Sequence, residues 1–234
     1  MIIIRHGNER GHFDHGWLRT WHSFSFADYH DPKHTHFRTL RVLNEDFIGP
    51  SRGFGMHQHN DMEILTMVLA GELTHQDSLG NTSTIRPGEL QRMTAGSGVL
   101  HSEFNHSQTT DVHLLQIWIF PEQKNLDPGY EQKTFADDEK HNQLRLVASR
   151  NGRDGSLTIH QDANVYATLL DPGAELHHPI AEGRGAWLQV ATGELEVGGQ
   201  KLFAGDGATV TAEALLTLKA SGSELAQVLL FDLA

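Results

Sequence analysis

The chain has 234 residues, no cysteine and a formal net charge of −12 with histidine neutral. The lack of cysteine excludes a disulfide framework, a thiolate metal site and a cysteine nucleophile. The acidic balance, without a basic stripe, argues against direct binding to nucleic acid. No apolar run approaches the roughly 20 residues of a membrane helix, and the N-terminus lacks the apolar core of a signal peptide, so a soluble, cytoplasmic protein with no membrane partner is expected.

Short apolar segments recur along the chain between glycine and proline turn signals. They lie at residues 40–43, 64–69, 114–120, 186–191 and 225–233. Many short strands at close spacing, separated by turn residues, are typical of an all-β sandwich or barrel. No long helical periodicity competes with this interpretation. The sequence therefore predicts an all-β fold.

A faint internal repeat indicates two related halves. Residues 67–90 and 189–208 each contain an apolar strand, a Gly-Glu-Leu turn, a polar hairpin and a second turn with glycine and an acidic residue. We predict two similar β-barrels in tandem, one over residues 1–130 and the other over residues 131–234. The alternative is that two hairpins resemble each other by chance.

Two pairs of ligand-type residues stand out in the first half. His57 and His59 are one residue apart, and so are His101 and Glu103. Alternate side chains of a strand share a face, so each pair would point into the barrel. Three imidazoles and one carboxylate suit a divalent first-row metal with open coordination positions. The alternative is a group of structural histidines.

Other histidine pairs fit this pattern less well. His34 and His36 follow the turn signal Asp31-Pro32, which predicts a loop. His177 and His178 are adjacent, and adjacent residues of a strand face opposite ways. Neither pair is therefore expected to bind a metal.

The segment GFGMHQHNDMEILTMVLAG, residues 53–71, resembles the first motif of the cupin superfamily. Further segments make residues 5–120 similar to its pirin family, and the second half resembles the family's C-terminal barrel more loosely. These segments are NERG at 8–11, GWL at 16–18, HSFSFADYHDP at 22–32, LRVLNED at 40–46 and PGELQRMTAGSGVLHSE at 87–103.

The resemblance implies an all-β bicupin, with two tandem jelly-roll-type barrels of which the C-terminal one is degenerate. It also implies one metal per chain in the N-terminal barrel, held by His57, His59, His101 and Glu103. Fe(II) is the expected metal, with zinc, manganese, nickel, cobalt and copper as alternatives. It also implies a quercetin 2,3-dioxygenase-like oxidoreductase that cleaves a flavonol with O2 and releases CO. One alternative is a non-enzymatic metal-binding regulatory protein that acts through a protein partner. Another is a closed structural zinc site, which three histidines and one carboxylate can fill.

Two glutamates receive different roles from the resemblance. Glu103 is the expected ligand and the candidate catalytic base, because only a carboxylate among the ligands has a spare oxygen for a proton. Glu63 is a nearby carboxylate that would orient a histidine N–H, with a structural glutamate as the alternative. Met56, Met93 and Trp118 are candidates for the pocket lining.

The second half lacks the corresponding ligands. The repeat relates the four ligand positions to Pro179, Ala181, Leu218 and Ala220, none of which coordinates a metal through its side chain. The C-terminal barrel is therefore expected to be metal-free.

Overall fold

The structure is a computed structural model that describes residues 1–234. It contains 22 strands, one four-residue helix, α1 (Asp137–Lys140), and 3₁₀ turns at Gly7–Glu9 and Arg153–Gly155. No helix is long and apolar enough to cross a membrane. The strands are β1 (Ile2–Arg5), β2 (Gly11–Asp14), β3 (Leu18–His22), β4 (Leu40–Ile48), β5 (Arg52–His59), β6 (Glu63–Ala70), β7 (Leu73–Asp77), β8 (Thr82–Ile85), β9 (Glu89–Thr94), β10 (Val99–Asn105), β11 (Val112–Ile119), β12 (Gly129–Thr134), β13 (Arg145–Ser149), β14 (Leu157–Thr158), β15 (Ala163–Leu170), β16 (Glu175–Pro179), β17 (Gly185–Thr192), β18 (Glu194–Val197), β19 (Gln200–Phe203), β20 (Gly207–Thr211), β21 (Leu215–Ala220) and β22 (Ala226–Leu233).

The chain forms two compact units. The N-terminal unit comprises Gly11–Thr134 and Leu157–Gln161. The C-terminal unit comprises Met1–Arg10, Phe135–Ser156 and Asp162–Ala234. The sequence-based boundary lies between residues 130 and 131, and nothing in the local pattern assigned the first ten residues to the C-terminal unit.

The N-terminal unit is built from two antiparallel sheets. Seven strands lie in the order β12-β9-β6-β11-β4-β3-β2, and four lie in the order β5-β10-β7-β8. In β10 and β11, buried residues alternate with more exposed ones over most of the strand, which is the pattern of a sheet with one face in the core. One core cluster consists of Leu18, Ile48, Val68, Leu73, Ile85, Val112 and Leu114.

The C-terminal unit repeats this arrangement. One sheet contains β1-β20-β17-β22-β15-β13, and the other contains β16-β21-β18-β19. The core is formed by leucine, valine, alanine and isoleucine side chains of both sheets. In β16, His178 is buried and lies 3.3 Å from a carboxylate oxygen of Asp232, whereas His177 is exposed. The all-β prediction with two similar halves is confirmed, although in neither half do the strands close into one continuous barrel.

Candidate metal centre

Three histidines converge where β5 and β10 pair. The antiparallel register sets His57 opposite His101 and His59 opposite Val99. The ring centroids are 4.4 Å apart for His57 and His101, 4.7 Å for His57 and His59, and 4.9 Å for His59 and His101. One ring nitrogen from each residue lies within 4.8 Å of the others. The strand geometry thus brings together three of the four predicted ligands.

Glycine allows the two strands to approach at this point. A Cβ atom at Gly53 would overlap the backbone carbonyl oxygen of Glu103 and crowd Phe104. The register also shifts between His101 and Glu103, which is a β-bulge. Bulges redirect side chains and are common beside functional sites.

The hydrogen bond of His57 determines which ring nitrogen is free. Its Nδ1 lies 2.8 Å from the carbonyl oxygen of Gly55. A carbonyl can only accept, so Nδ1 carries a proton, and in the neutral ring the lone pair is then on Nε2. Histidine ligands of metals are commonly oriented by a hydrogen bond of this kind.

A second chain of contacts orients His101. Its Nδ1 lies 3.4 Å from Nδ1 of His75, and Nε2 of His75 lies 3.2 Å from Oδ2 of Asp77. Because Asp77 accepts a hydrogen bond, His75 carries its proton on Nε2 and has its lone pair on Nδ1. This Nδ1 accepts from His101 and also from the side-chain amide of Gln91, at 3.3 Å. His101 then donates from Nδ1 and leaves Nε2 unprotonated. That buried Nε2 has no hydrogen-bond partner.

The electrostatics favour the neutral form of two of these imidazoles, His59 and His101. Burial, with a contribution from His57, lowers the pKa of His59 to about 4. Burial and the neighbouring histidines lower the pKa of His101 to about 2. Metal binding requires the neutral imidazole. Converging neutral rings and an unpartnered buried nitrogen are the features that a divalent transition metal would satisfy, so the donor set fits such a metal.

Glu103 lies beside this group but is held separately. A carboxylate oxygen of Glu103 lies within 4.8 Å of ring nitrogens of His101 and His75, and it is not part of the cluster that contains His57 and His59. Gln116 donates to it at 3.0 and 3.3 Å, and the hydroxyl of Thr66 donates at 3.3 Å. Burial raises the pKa of Glu103 to about 7, against the lowering effect of these two donors.

The histidines and Glu103 line a cavity of about 210 Å³. The other lining residues are Phe26, Asn44, Asp46, Phe54, Ile64, Gln116 and Trp118. The Trp118 ring meets the His59 ring edge-on at 4.8 Å between centroids. Trp118 therefore lines the pocket as expected. Met56 is exposed and Met93 packs in a core cluster, and neither lines it.

Glu63 lies beside a histidine nitrogen, but that histidine is His160 and not one of the three clustered ones. Its buried carboxylate accepts from the hydroxyl of Thr94 at 3.1 Å and lies 3.1 Å from Nδ1 of His160. These contacts tie β6 to β9 and to the segment Leu157–Gln161. The alternative of a structural glutamate fits the observed contacts.

The sequence interpretation missed His75 and Asp77. They alternate along β7, and β7 pairs with β10 in a register that sets Asp77 opposite His101 and His75 opposite Glu103. The same one-residue spacing that identified the other pairs was present here. The pair His34 and His36 lies in the loop before β4, away from regular strand pairing.

Comparisons with known proteins agree with this architecture. Residues 4–119 match the family model described as Pirin, and residues 146–233 match the model described as Quercetinase C-terminal cupin domain. A protein of Escherichia coli (strain K12) named Quercetin 2,3-dioxygenase is 47% identical, over 100% of this chain and 99% of that protein.

Solved structures give the same result. The crystal structure of bacterial pirin YhhW from Escherichia coli in complex with nickel(II) has a TM-score of 0.94 and 46% identity, and it covers 100% of this chain and 99% of that one. Quercetin 2,3-dioxygenase from Acinetobacter baumannii has a TM-score of 0.74 at 25% identity, over 92% of this chain and 80% of that one. The chain belongs to the pirin family of the cupin superfamily.

Proposed function

We propose that this pirin is a metal-dependent dioxygenase that cleaves a flavonol with O2 and releases CO. The observation that carries the proposal is a cluster of three histidines and a buried glutamate in one aromatic-lined cavity. The 47% identical relative named Quercetin 2,3-dioxygenase supports the substrate class.

We propose His57, His59, His101 and Glu103 as the ligands of one divalent metal. The nickel(II) complex of the similar pirin supports a divalent ion, and imidazole with carboxylate also suits iron, so Fe(II) is our proposed native metal. When bound, such a metal acts as a Lewis acid and as a template that brings O2 to an electron-rich ring.

Glu103 is the proposed proton acceptor. A flavonol hydroxyl must lose its proton before the ring becomes electron-rich enough to react with oxygen. The carboxylate has two oxygens, so it can serve as a ligand and still accept this proton. The amide of Gln116 and the hydroxyl of Thr66 fix its orientation, which keeps it in place for the transfer.

The cavity wall supports a planar aromatic substrate. Phe26, Phe54, Ile64 and Trp118 supply apolar and aromatic surface beside the histidines. Ligand sites commonly combine such a lining with a few convergent polar groups. A regulatory protein that acts only through a partner has no need of this cavity at its metal centre, so the geometry favours the enzyme over that alternative.

The test is oxygen uptake and CO release by metal-loaded protein supplied with quercetin. We expect metal-dependent turnover by the wild type and a loss of about 10²–10⁴-fold in the variant Glu103→Gln, with the metal content of both measured. A Glu103→Gln variant that keeps both its metal and full activity would remove the proton-acceptor role. A wild type that turns over no flavonol would favour the regulatory alternative.

A further inference from the structure

We propose that Asn44 and Asp46 of β4 form an acceptor pair that binds a second hydroxyl group of the aromatic substrate, away from the metal-bound oxygen. This inference rests on the proposed flavonol chemistry and specifies which flavonols the site selects. Both residues belong to the segment LRVLNED, for which the metal centre provides no function.

Asn44 carries an acceptor atom that no protein group uses. It lines the cavity, is 3% exposed, and its carboxamide oxygen has no hydrogen-bond partner. In the seven-stranded sheet it lies opposite Gln116 of β11, which holds Glu103. A buried polar atom is nearly always paired in a folded protein, so an unpaired one in a residue of the cavity wall is available to a donor group of a ligand.

Asp46 places a carboxyl group two residues further along the same face. It is 5% exposed and also lines the cavity. The hydroxyl of Thr20 on β3 is its hydrogen-bond partner, and Glu103, Glu45 and His113 are the charged groups that act on it. A carboxylate has about four lone-pair positions, so one bond from Thr20 leaves capacity for a ligand hydroxyl.

The cavity limits the shape of the donor. About 210 Å³ is below the roughly 300–1,000 Å³ of most small-molecule sites, so a flat fused ring fits and a bulky group does not. Much of the cavity wall is aromatic. Its principal polar surfaces are the histidine cluster together with Glu103, and the acceptor pair. The matching ligand is a planar polyphenol with one oxygen for the metal and a further hydroxyl for Asn44 and Asp46.

The test measures binding without turnover, in nickel-loaded protein under anaerobic conditions. The probes are 3-hydroxyflavone, which has one hydroxyl group, and galangin and quercetin, which have additional ones. We expect the wild type to bind the polyhydroxylated probes at least about tenfold more tightly. The substitutions Asn44→Leu and Asp46→Leu keep a similar side-chain shape without the acceptor, and each is expected to reduce this preference by about tenfold.

The control is Glu45→Leu, which also places leucine at an acidic position of β4 but on the opposite face, where Glu45 lies 2.8 Å from His113. It should leave the preference intact. If the wild type binds all three flavonols equally, or if Asn44→Leu keeps the preference, the acceptor pair is refuted and the proposed function stands. If the wild type binds no flavonol, both proposals fail.

Discussion

The buried carboxyl group of Asp46 is expected to destabilise the folded protein at neutral pH. Burial, with a contribution from Glu103, raises its pKa from 3.8 to about 7. Because the folded state holds this proton more tightly than the unfolded state, stability from this group is lost as pH rises from about 4 to about 7. A shift of about three pKa units corresponds to a loss of folding stability on the order of 4 kcal/mol above pH 7. About 2–3 kcal/mol of this loss develops between pH 5 and pH 8.

The variant Asp46→Asn removes this titration while keeping the shape and an acceptor for Thr20. Urea unfolding of metal-free protein should show the variant gaining about 2–3 kcal/mol relative to wild type between pH 5 and pH 8. Asp111→Asn is the control, since Asp111 is exposed and pairs with Arg19 on the surface. A pH-independent difference for Asp46→Asn would refute the assignment of a costly buried carboxyl to the cavity wall.

Three further substitutions address the metal centre. His75→Phe should weaken nickel affinity about 10–100-fold in a chelator competition, because His101 loses its orienting partner. The control His113→Phe, which changes another carboxylate-paired histidine, should leave the nickel affinity unchanged. His59→Ala should lose far more metal than His34→Ala by elemental analysis, and equal retention would contradict the choice of ligands. Gly53→Ala should lower the free energy of unfolding by about 1–3 kcal/mol in a thermal melt, because its Cβ has no space, and an unchanged melt would show that the strands can separate.

The central strands could be predicted because their buried residues form continuous apolar segments in the sequence. The apolar segments 64–69 and 186–191 lie within β6 and β17, whose residues are almost all buried. By contrast, the pairing of β1 with β20 joins Ile2 to Val210, and no local pattern encodes so distant a partner. Because of this long-range pairing, the position of the first ten residues in the chain does not indicate that they belong to the C-terminal unit.

The same distinction applies to the site. The spacing of His57 and His59 predicted a shared face, because alternation is a local property of a strand. The roles of His75 and Asn44 depend on which strands are neighbours and in what register, and this follows from sheet assembly rather than from spacing. The histidine partner of Glu63 could not be identified for a related reason, since His160 is 97 residues away in sequence.

The most direct test of the account is the yield of CO per O2 consumed when the metal-loaded wild type turns over quercetin. The proposed 2,3-cleavage of a flavonol incorporates both atoms of O2 into the product and expels one ring carbon as CO. The account therefore predicts one CO for each O2, with both signals absent from metal-free protein. Oxygen consumption without CO, or CO release that does not depend on the metal, would contradict it.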